Sequence, residues 1–422
     1  MKRIGVIGGG QLAWMMGGAA RKLGLELVVQ TPSSHDPAVA LLNSNGSHKI
    51  KTQQYLIEQS QQKLFSTTET PVKEFVNFIQ ARVDDAVATV QLAKNSDVIT
   101  FENEFVDLEA LSALAERGVC FRPSLEALAP LLDKYHQRCF LRDVGLPVPK
   151  FTAFDLKADN KNSTFRYQYD FPIVLKARRH GYDGQGTYII RNEQDWQKVT
   201  EKLEHGRFKV SNTDFLIEEF IPFKYELAVI AARSVDAEVV IYPVVETQQE
   251  QQVCRRVIVP ANISTQVAAK VEKIAKTVLN SLDAVGVFGI ELFLTADDNI
   301  LINEVAPRTH NSGHFSIDAC ETSQFEQHLR AICGLPLGST ALKSPGAVMV
   351  NLLGYENGNS DYQQKRNLIE QIANAHLHWY GKIESRPGRK LGHVTILLDN
   401  NSRDHALNVA HQVEQIWYPN QN

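Results

Sequence analysis

Apolar positions come first in the chain as a short run, Ile4 to Ile7, broken at once by Gly8-Gly9-Gly10. The alternation then lengthens to a helical period from Gln11 to Leu23, and apolar residues return at Leu25 to Gln30 and at Asp97 to Phe101. Strands alternating with helices predict an open parallel sheet, an α/β unit. From Phe171 the order becomes strand, glycine loop, strand, then a helix from Glu193. Leu216 to Arg233 and Val239 to Thr247 read as paired strands, and Thr265 to Leu282 as an amphipathic helix, a segregated α+β pattern. Strands at Phe288–Leu294, Ile300–Val305, Val348–Leu353 and Val394–Leu398 follow, with a helix near the end. Leu125 to Val144 reads as a helical linker after Phe121-Arg122-Pro123, and Asn43 to Val83, rich in Gln, Ser and Thr, as an elaborated loop. No repeat is visible.

The chain has 422 residues, which calls for two or three cores, and its 43% hydrophobic and 22% charged content is that of a globular protein. A net charge of −4 gives no general attraction for nucleic acid or an anionic membrane, and no apolar run is long enough to span a bilayer. The apolar stretch behind Lys2 and Arg3 is too short for a signal peptide, and the 5 scattered cysteines read as reduced thiols of a cytoplasmic protein.

The opening G-G-G-Q-L-A has the form of a dinucleotide fingerprint, but the second strand ends in Gln30-Thr31-Pro32, where an NAD site needs an acid for the ribose. The segment from Val287 to Arg308 says more. A hairpin turn centred between Asp297 and Asp298 puts Glu291 directly opposite Glu304, among Ile, Leu, Phe and Val. Two facing carboxylates repel unless a cation lies between them, and magnesium suits such oxygen ligands. The alternative is a hairpin with an exposed acidic face. Lys176 ends the apolar run Ile173-Val174-Leu175, and Gly181-Tyr182-Asp183-Gly184-Gln185-Gly186 follows. That is either an ordinary turn or a loop whose amides cover phosphates. Leu216 to Ile221 with Glu226 offers backbone groups and a carboxylate to a nucleoside, or simply exposed acids. Arg308, His310, Asn311 and His314 form a polar run without metal-ligand spacing, and Lys382, Arg386, Arg389 and Lys390 crowd one turn, a phosphate clamp or a solvated basic loop.

These runs resemble the N5-carboxyaminoimidazole ribonucleotide synthase family of ATP-grasp enzymes over nearly the whole chain. The specific matches are G-Y-D-G-x-G at Gly181, N-E-V-A-P-R-T-H-N-S-G-H at Asn303, T-S-Q-F-E-Q-H-L-R-A at Thr322 and R-P-G-R-K-L-G-H at Arg386. The resemblance implies an ATP-grasp fold with an N-terminal Rossmann-like pre-ATP-grasp domain (1–122), an ATP-grasp domain of two lobes (123–340) and a small C-terminal domain (341–422). It implies ATP as co-substrate, held by Lys134, Lys176, Gly181, Tyr182, Asp183, Gly184, Gln185, Gly186, Thr187, Glu218, Glu219, Phe220, Ile221, Glu226, Gln249, Asn303 and Glu304. Magnesium, as two ions, would sit on Glu291 and Glu304. Aminoimidazole ribonucleotide would meet Gln11, Leu12, Glu102, Asn311, Lys382, Arg389 and Lys390, with Tyr182, Asp183, Arg308, Lys382 and Arg389 at the chemistry. Bicarbonate would be the carbon source, through carboxyphosphate, for purine synthesis by a cytoplasmic homodimer. Ala13-Trp14, Gln185, Gln249 and Lys134 depart from the commoner family pattern. The sister formate-dependent glycinamide ribonucleotide enzyme and a non-catalytic ATP-binding relative are the alternatives.

Overall fold

The computed structural model describes residues 2–43, 77–156, 170–179, 181, 184–204 and 214–419. The chain divides into two compact units, Met1–Arg122 and Pro123–Asn422.

In the first unit β1 (Arg3–Ile7), β2 (Glu26–Thr31), β3 (Phe78–Gln80) and β4 (Val98–Phe101) form a parallel sheet in the order β3-β2-β1-β4. Ile4, Val6, Ile7, Val28, Val29, Ile99 and Phe101 are all buried, because helices cover a parallel sheet on both faces and its strands read as unbroken apolar runs. Helix α1 (Gln11–Leu23) follows the glycine turn and ends at Gly24, whose φ of 64° closes the helix in a left-handed cap. The sequence missed β3, a three-residue edge strand inside the stretch read as a loop, whose other residues 44–76 lie outside the described ones. An edge strand that short carries no hydrophobic pattern to detect.

The second unit has two sheets. The smaller one holds β5 (Phe151–Asp155), β6 (Ile173–Ala177), β7 (Thr187–Ile190) and β8 (Asp214–Glu219), antiparallel in the order β5-β8-β6-β7. The larger starts at β9 (Phe223–Arg233), with β10 (Val239–Ile241) paired to it, and takes in β11 (Val245–Glu250), β12 (Val253–Val259), β13 (Gly286–Thr295) and β14 (Ile300–Ala306). Strands β15 (Gly346–Leu353), β17 (Ala375–Trp379) and β19 (Lys390–Leu398) extend the same sheet to give the order β14-β13-β9-β11-β12-β15-β19-β17, while β16 (Gly358–Asn359) and β18 (Glu384–Ser385) make a small ribbon. Leu216 to Arg233 is therefore two strands in two sheets, separated at Phe220 to Pro222, and only the second pairs with β10 and β11. Both halves are apolar, so periodicity alone could not find the break.

Leu227 and Val229 of β9 face helix α8 (Thr265–Ser281), which buries Val267, Val271, Ile274, Ala275, Val278 and Leu279 against them. With the two-residue period of a strand, Ala228 and Ile230 face the other way, into a core with Val257, Val259, Phe315 and Met349. Glu226 and Glu291 take that second face, since Glu291 pairs with Ala228. The expected linker helix is broken into α5 (Leu125–Leu128), a 3-10 turn at Ala129–Leu131 containing Pro130, and α6 (Lys134–Asp143), capped by Asp133.

Candidate active site

In the first unit, α1 connects β1 to β2 on one side while β4 lies on the other, so the carboxyl ends of β1 and β4 form the crevice where open parallel sheets take ligands. Glu102 follows β4 and turns its carboxylate onto the α1 N-terminus, accepting from the Leu12 amide at 3.3 Å. Gly10 is needed for this approach, because a Cβ there would run into Glu102 Oε1. Gln11, Leu12 and Glu102 are thus brought together. Gln30, by contrast, is buried and its amide is bonded to Arg82 O, Asp85 O and Thr89.

In the second unit the hairpin β13–β14 does set Glu291 opposite Glu304, though by a different route from symmetric counting. Near the turn the pairs are Leu294 with Ile300 and Leu292 with Ile302, one residue off the symmetric register. A bulge at Asn303 takes up the difference before Glu291 is reached. The bulge also turns the Asn303 amide inward, so that Nδ2 donates to Glu291 Oε2 at 3.1 Å while Oδ1 accepts from Lys176 Nζ at 3.0 Å.

Helix α6 supplies the cations, and its docking on β14 explains how. Gln137 bonds both backbone groups of Val305, at 2.9 and 2.8 Å, and so covers the open edge of the sheet. Lys134 and Arg138, on the same helical face, then reach the site. Lys134 Nζ lies 2.5 Å from Glu304 Oε2. Arg138 pairs with Glu218 and donates to Asn303 O at 2.6 Å, and Lys176 Nζ lies 2.6 Å from Glu218 Oε2. Arg138, Gln137 and Asp133 were missed from sequence, although the spacing Lys134, Gln137, Arg138, Leu141 marks one helical face. Asp133 caps α6 and takes Arg178 and Arg179, at 3.0 and 3.2 Å.

The charges are unevenly satisfied. Burial works against the Glu218 carboxylate, but Arg138 and Lys176 outweigh it and hold its pKa at about 2. Burial, then the charge of Glu304, push Glu291 up to about 7. Burial, then Glu291, likewise push Glu226 up to about 7. Burial also raises Glu304, but Lys134 overcomes it and leaves that carboxyl below the usual range. The carboxylate cluster is thus short of positive charge on the Glu291 side, where its neighbours are the Asn303 amide and His310 Nε2 at 3.5 Å. This excess of oxygen ligands fits a hard divalent cation.

The glycine loop is anchored at both ends. Ala177 N–H donates to Gly186 O at 2.7 Å, and Gly184 packs onto Gln252 of the β11–β12 turn at a φ of 76°, where a Cβ would come within 2.5 Å of the Gln252 Cβ. Gly181, Gln185 and Thr187 are in place around it, whereas Tyr182 and Asp183 lie outside the described residues. Glu219, Phe220 and Ile221 form the passage from the small sheet to the large one, with Glu219 bonded to Lys150 at 2.8 Å. Gln249, on β11, stands opposite a bulge at Arg255 in β12. Asn311 is buried with its amide paired to Asn351, at 3.0 and 2.8 Å, and Arg308 donates to Thr309 O. Lys382 donates to Lys390 O at 2.7 Å and Arg389 to Glu384 O at 2.9 Å, closing the cationic loop between β17 and β19.

Family models match the chain in three stretches: a ribonucleotide synthetase preATP-grasp domain at residues 1–70, an ATP-grasp domain at 139–325, and a phosphoribosylaminoimidazole carboxylase C-terminal domain at 347–405. The chain is 47% identical, over 99% of its length and 96% of the relative's, to N5-carboxyaminoimidazole ribonucleotide synthase of Synechococcus elongatus. It is 34% identical, over 93% and 91%, to that of Bacillus subtilis. Among solved structures, the Aspergillus clavatus carboxyaminoimidazole ribonucleotide synthase complexed with ATP superposes with a TM-score of 0.83 at 31% identity over 98% of both chains. The structure of that fungal synthase with ADP and 5-aminoimidazole ribonucleotide gives 0.82 at 29% identity, over 99% and 98%. Two sheets joined at Phe220, with Lys134 and Lys176 facing paired carboxylates, define an ATP-grasp enzyme, a ligase that uses ATP. Within that class the chain belongs to the N5-carboxyaminoimidazole ribonucleotide synthase family.

Proposed function

We propose that the chain joins bicarbonate to the amine of 5-aminoimidazole ribonucleotide at the expense of ATP, giving N5-carboxyaminoimidazole ribonucleotide, ADP and phosphate in purine synthesis. The observation that carries this reading is the convergence of Lys134, Lys176, Arg138, Glu218, Asn303, Glu291 and Glu304, with Lys176, Arg138 and Glu218 buried, in a chain whose full length follows the family.

In the first step a bicarbonate oxygen attacks the γ-phosphorus, the bond to the ADP oxygen breaks, and carboxyphosphate forms. Charge gathers on the phosphoryl oxygens, and Lys134 and Lys176 stand ready as point charges already oriented by Glu304, Glu218 and Asn303. Magnesium, held by Glu291 and Glu304, would neutralise phosphate charge when bound. The loop from Gly181 to Thr187 covers the phosphates and keeps water from the mixed anhydride. Glu218 to Ile221 hold adenine and Glu226 the ribose, with Gln249 nearby. In the second step the carbon–oxygen bond to phosphate breaks and the substrate amine takes up the carboxyl carbon, losing a proton. Tyr182, Asp183 and Arg308 work at that centre. Gln11, Leu12, Glu102, Asn311, Lys382, Arg389 and Lys390 position the acceptor. We read 1–122, 123–340 and 341–422 as the three functional domains, and the protein as a cytoplasmic homodimer. In support of the cytoplasm, none of the cysteines joins a disulfide among the described residues.

ADP release tests the reading. Turnover with bicarbonate and aminoimidazole ribonucleotide is expected. Turnover only with formate and glycinamide ribonucleotide would replace it by the sister reaction, and tight nucleotide binding with no turnover by a non-catalytic role.

A further inference from the structure

Behind the cationic loop lies a buried network of imidazoles that the reaction scheme leaves unused. His393, on β19, is fully buried, and its Nδ1 lies 2.8 Å from the Tyr380 hydroxyl. Its ring stacks on that of His378, on β17, at 4.6 Å and 17°. His378 Nε2 in turn lies 2.8 Å from Asp318 Oδ2 on helix α9 (Ser316–Ala319). The His314 ring lies tilted against that of His393, with ring centres 5.2 Å apart.

The tautomer of His314 follows from its neighbour. Gln324 Oε1 accepts from the His310 amide at 2.9 Å, so the atom 2.7 Å from His310 O is its amide nitrogen. That nitrogen donates to His314 Nδ1 at 3.0 Å, and the neutral ring carries its proton on Nε2. Yet the Nε2 atoms of His314 and His393 are buried without a hydrogen-bond partner among the described residues. Such a group loses its hydration without gaining a hydrogen bond in return, a cost that an apolar side chain of the same shape avoids. A core selected for stability alone has no use for this arrangement, and sites that sacrifice stability tend to be functional.

Its place in the chain indicates the use. Tyr380 precedes Gly381-Lys382, His393 lies three residues beyond Lys390 on β19, and His314 and Asp318 follow Asn311. The network therefore ties the root of the cationic loop to the segment behind the carboxylate hairpin. We propose that the Tyr380–His393 hydrogen bond, backed by His378 and Asp318, is a positioning device that sets Lys382, Arg389 and Lys390 for the phosphate-bearing acceptor. This rests on the acceptor reading given above.

Steady-state kinetics with Tyr380→Phe tests it. The KM for aminoimidazole ribonucleotide is expected to rise about tenfold while the KM for ATP stays at its wild-type value. An amide at His393 can keep the bond through its position near Nδ1, so His393→Asn should hold the acceptor KM near wild type while His393→Leu raises it. An unchanged acceptor KM in both Tyr380→Phe and His393→Leu, or a parallel rise in the ATP KM, overturns the proposal. Lys390→Ala separates the two levels. If it raises the acceptor KM and Tyr380→Phe does not, the positioning role fails alone; if Lys390→Ala has no effect either, the acceptor reading of this loop fails with it.

Discussion

At Glu218 one carboxylate holds two buried cations, Arg138 and Lys176. Glu218→Gln leaves both charges unpaired, and a loss of about 3–5 kcal/mol in unfolding free energy is expected from urea titration. The Glu218 pKa is held at about 2, below the ordinary 4.5, so its contribution to stability is complete above pH 4.5 and disappears as pH falls toward 2. His328 has the opposite chemistry but fails in the same direction. It is buried, its Nδ1 accepts from the Val287 amide at 3.1 Å, and burial lowers its pKa from 6.5 to about 4. The unfolded chain takes up this proton first as pH falls, so about 3 kcal/mol is lost between pH 6.5 and 4. His328→Asn keeps an acceptor near Nδ1 without the titration, and its urea midpoint should change less between pH 7 and pH 5 than that of the wild type. These pairings were not readable from the chain. Lys176 and Glu218 were both singled out, but their bond depends on two strands that meet only through the small sheet.

The glycine loop and the hairpin show the same limit at the level of elements. The positions of Gly184 and Gly186 suggested a phosphate-covering loop, but the tight seat of Gly184 on Gln252 comes from the β11–β12 turn, distant in sequence. Gly184→Ala introduces a side chain at a φ of 76° and against that turn. The nucleotide Kd is expected to rise about tenfold with little change in circular dichroism, and Gln252→Gly in the same chain should recover part of it by removing the clash. In the hairpin, symmetric counting named the facing pair Glu291 and Glu304, but the register near the turn is one residue off that count and the bulge at Asn303 makes up the difference. The bulge was not legible, because one extra residue leaves no trace in an apolar pattern. It decides how Asn303 bridges Lys176 and Glu291. It also tempers the inference from repulsion, since Lys134 already offsets Glu304 and the deficit of positive charge lies at Glu291.

For the whole molecule, the partition at Arg122 divides the proposed residues unevenly. The proposed ATP residues all belong to Pro123–Asn422, which has its own cores, while Gln11, Leu12 and Glu102 belong to Met1–Arg122. A fragment spanning 123–422 is expected to bind magnesium and ATP with near-native affinity in calorimetry but to show no turnover with the acceptor. Glu304→Ala in the full chain should lose turnover with its melting curve kept. Loss of nucleotide binding by the fragment, or activity in Glu304→Ala, would refute these assignments.

The sequence alone determined the parallel first sheet, the glycine turns, the amphipathic helix α8, the hairpin that carries Glu291 and Glu304, and a family resemblance carried by contiguous runs. All of these are local, set by periodicity, by turn chemistry or by neighbours along the chain. Only the tertiary structure decided that Leu216 to Arg233 divides between two sheets, that α6 seals the edge of β14 through Gln137, and that Arg138, Lys176 and Asn303 converge. The same is true of the imidazole network from Asp318 to Tyr380. Such contacts join residues far apart in sequence, and they are chosen by which buried charges and polar groups can satisfy one another once the backbone is in place.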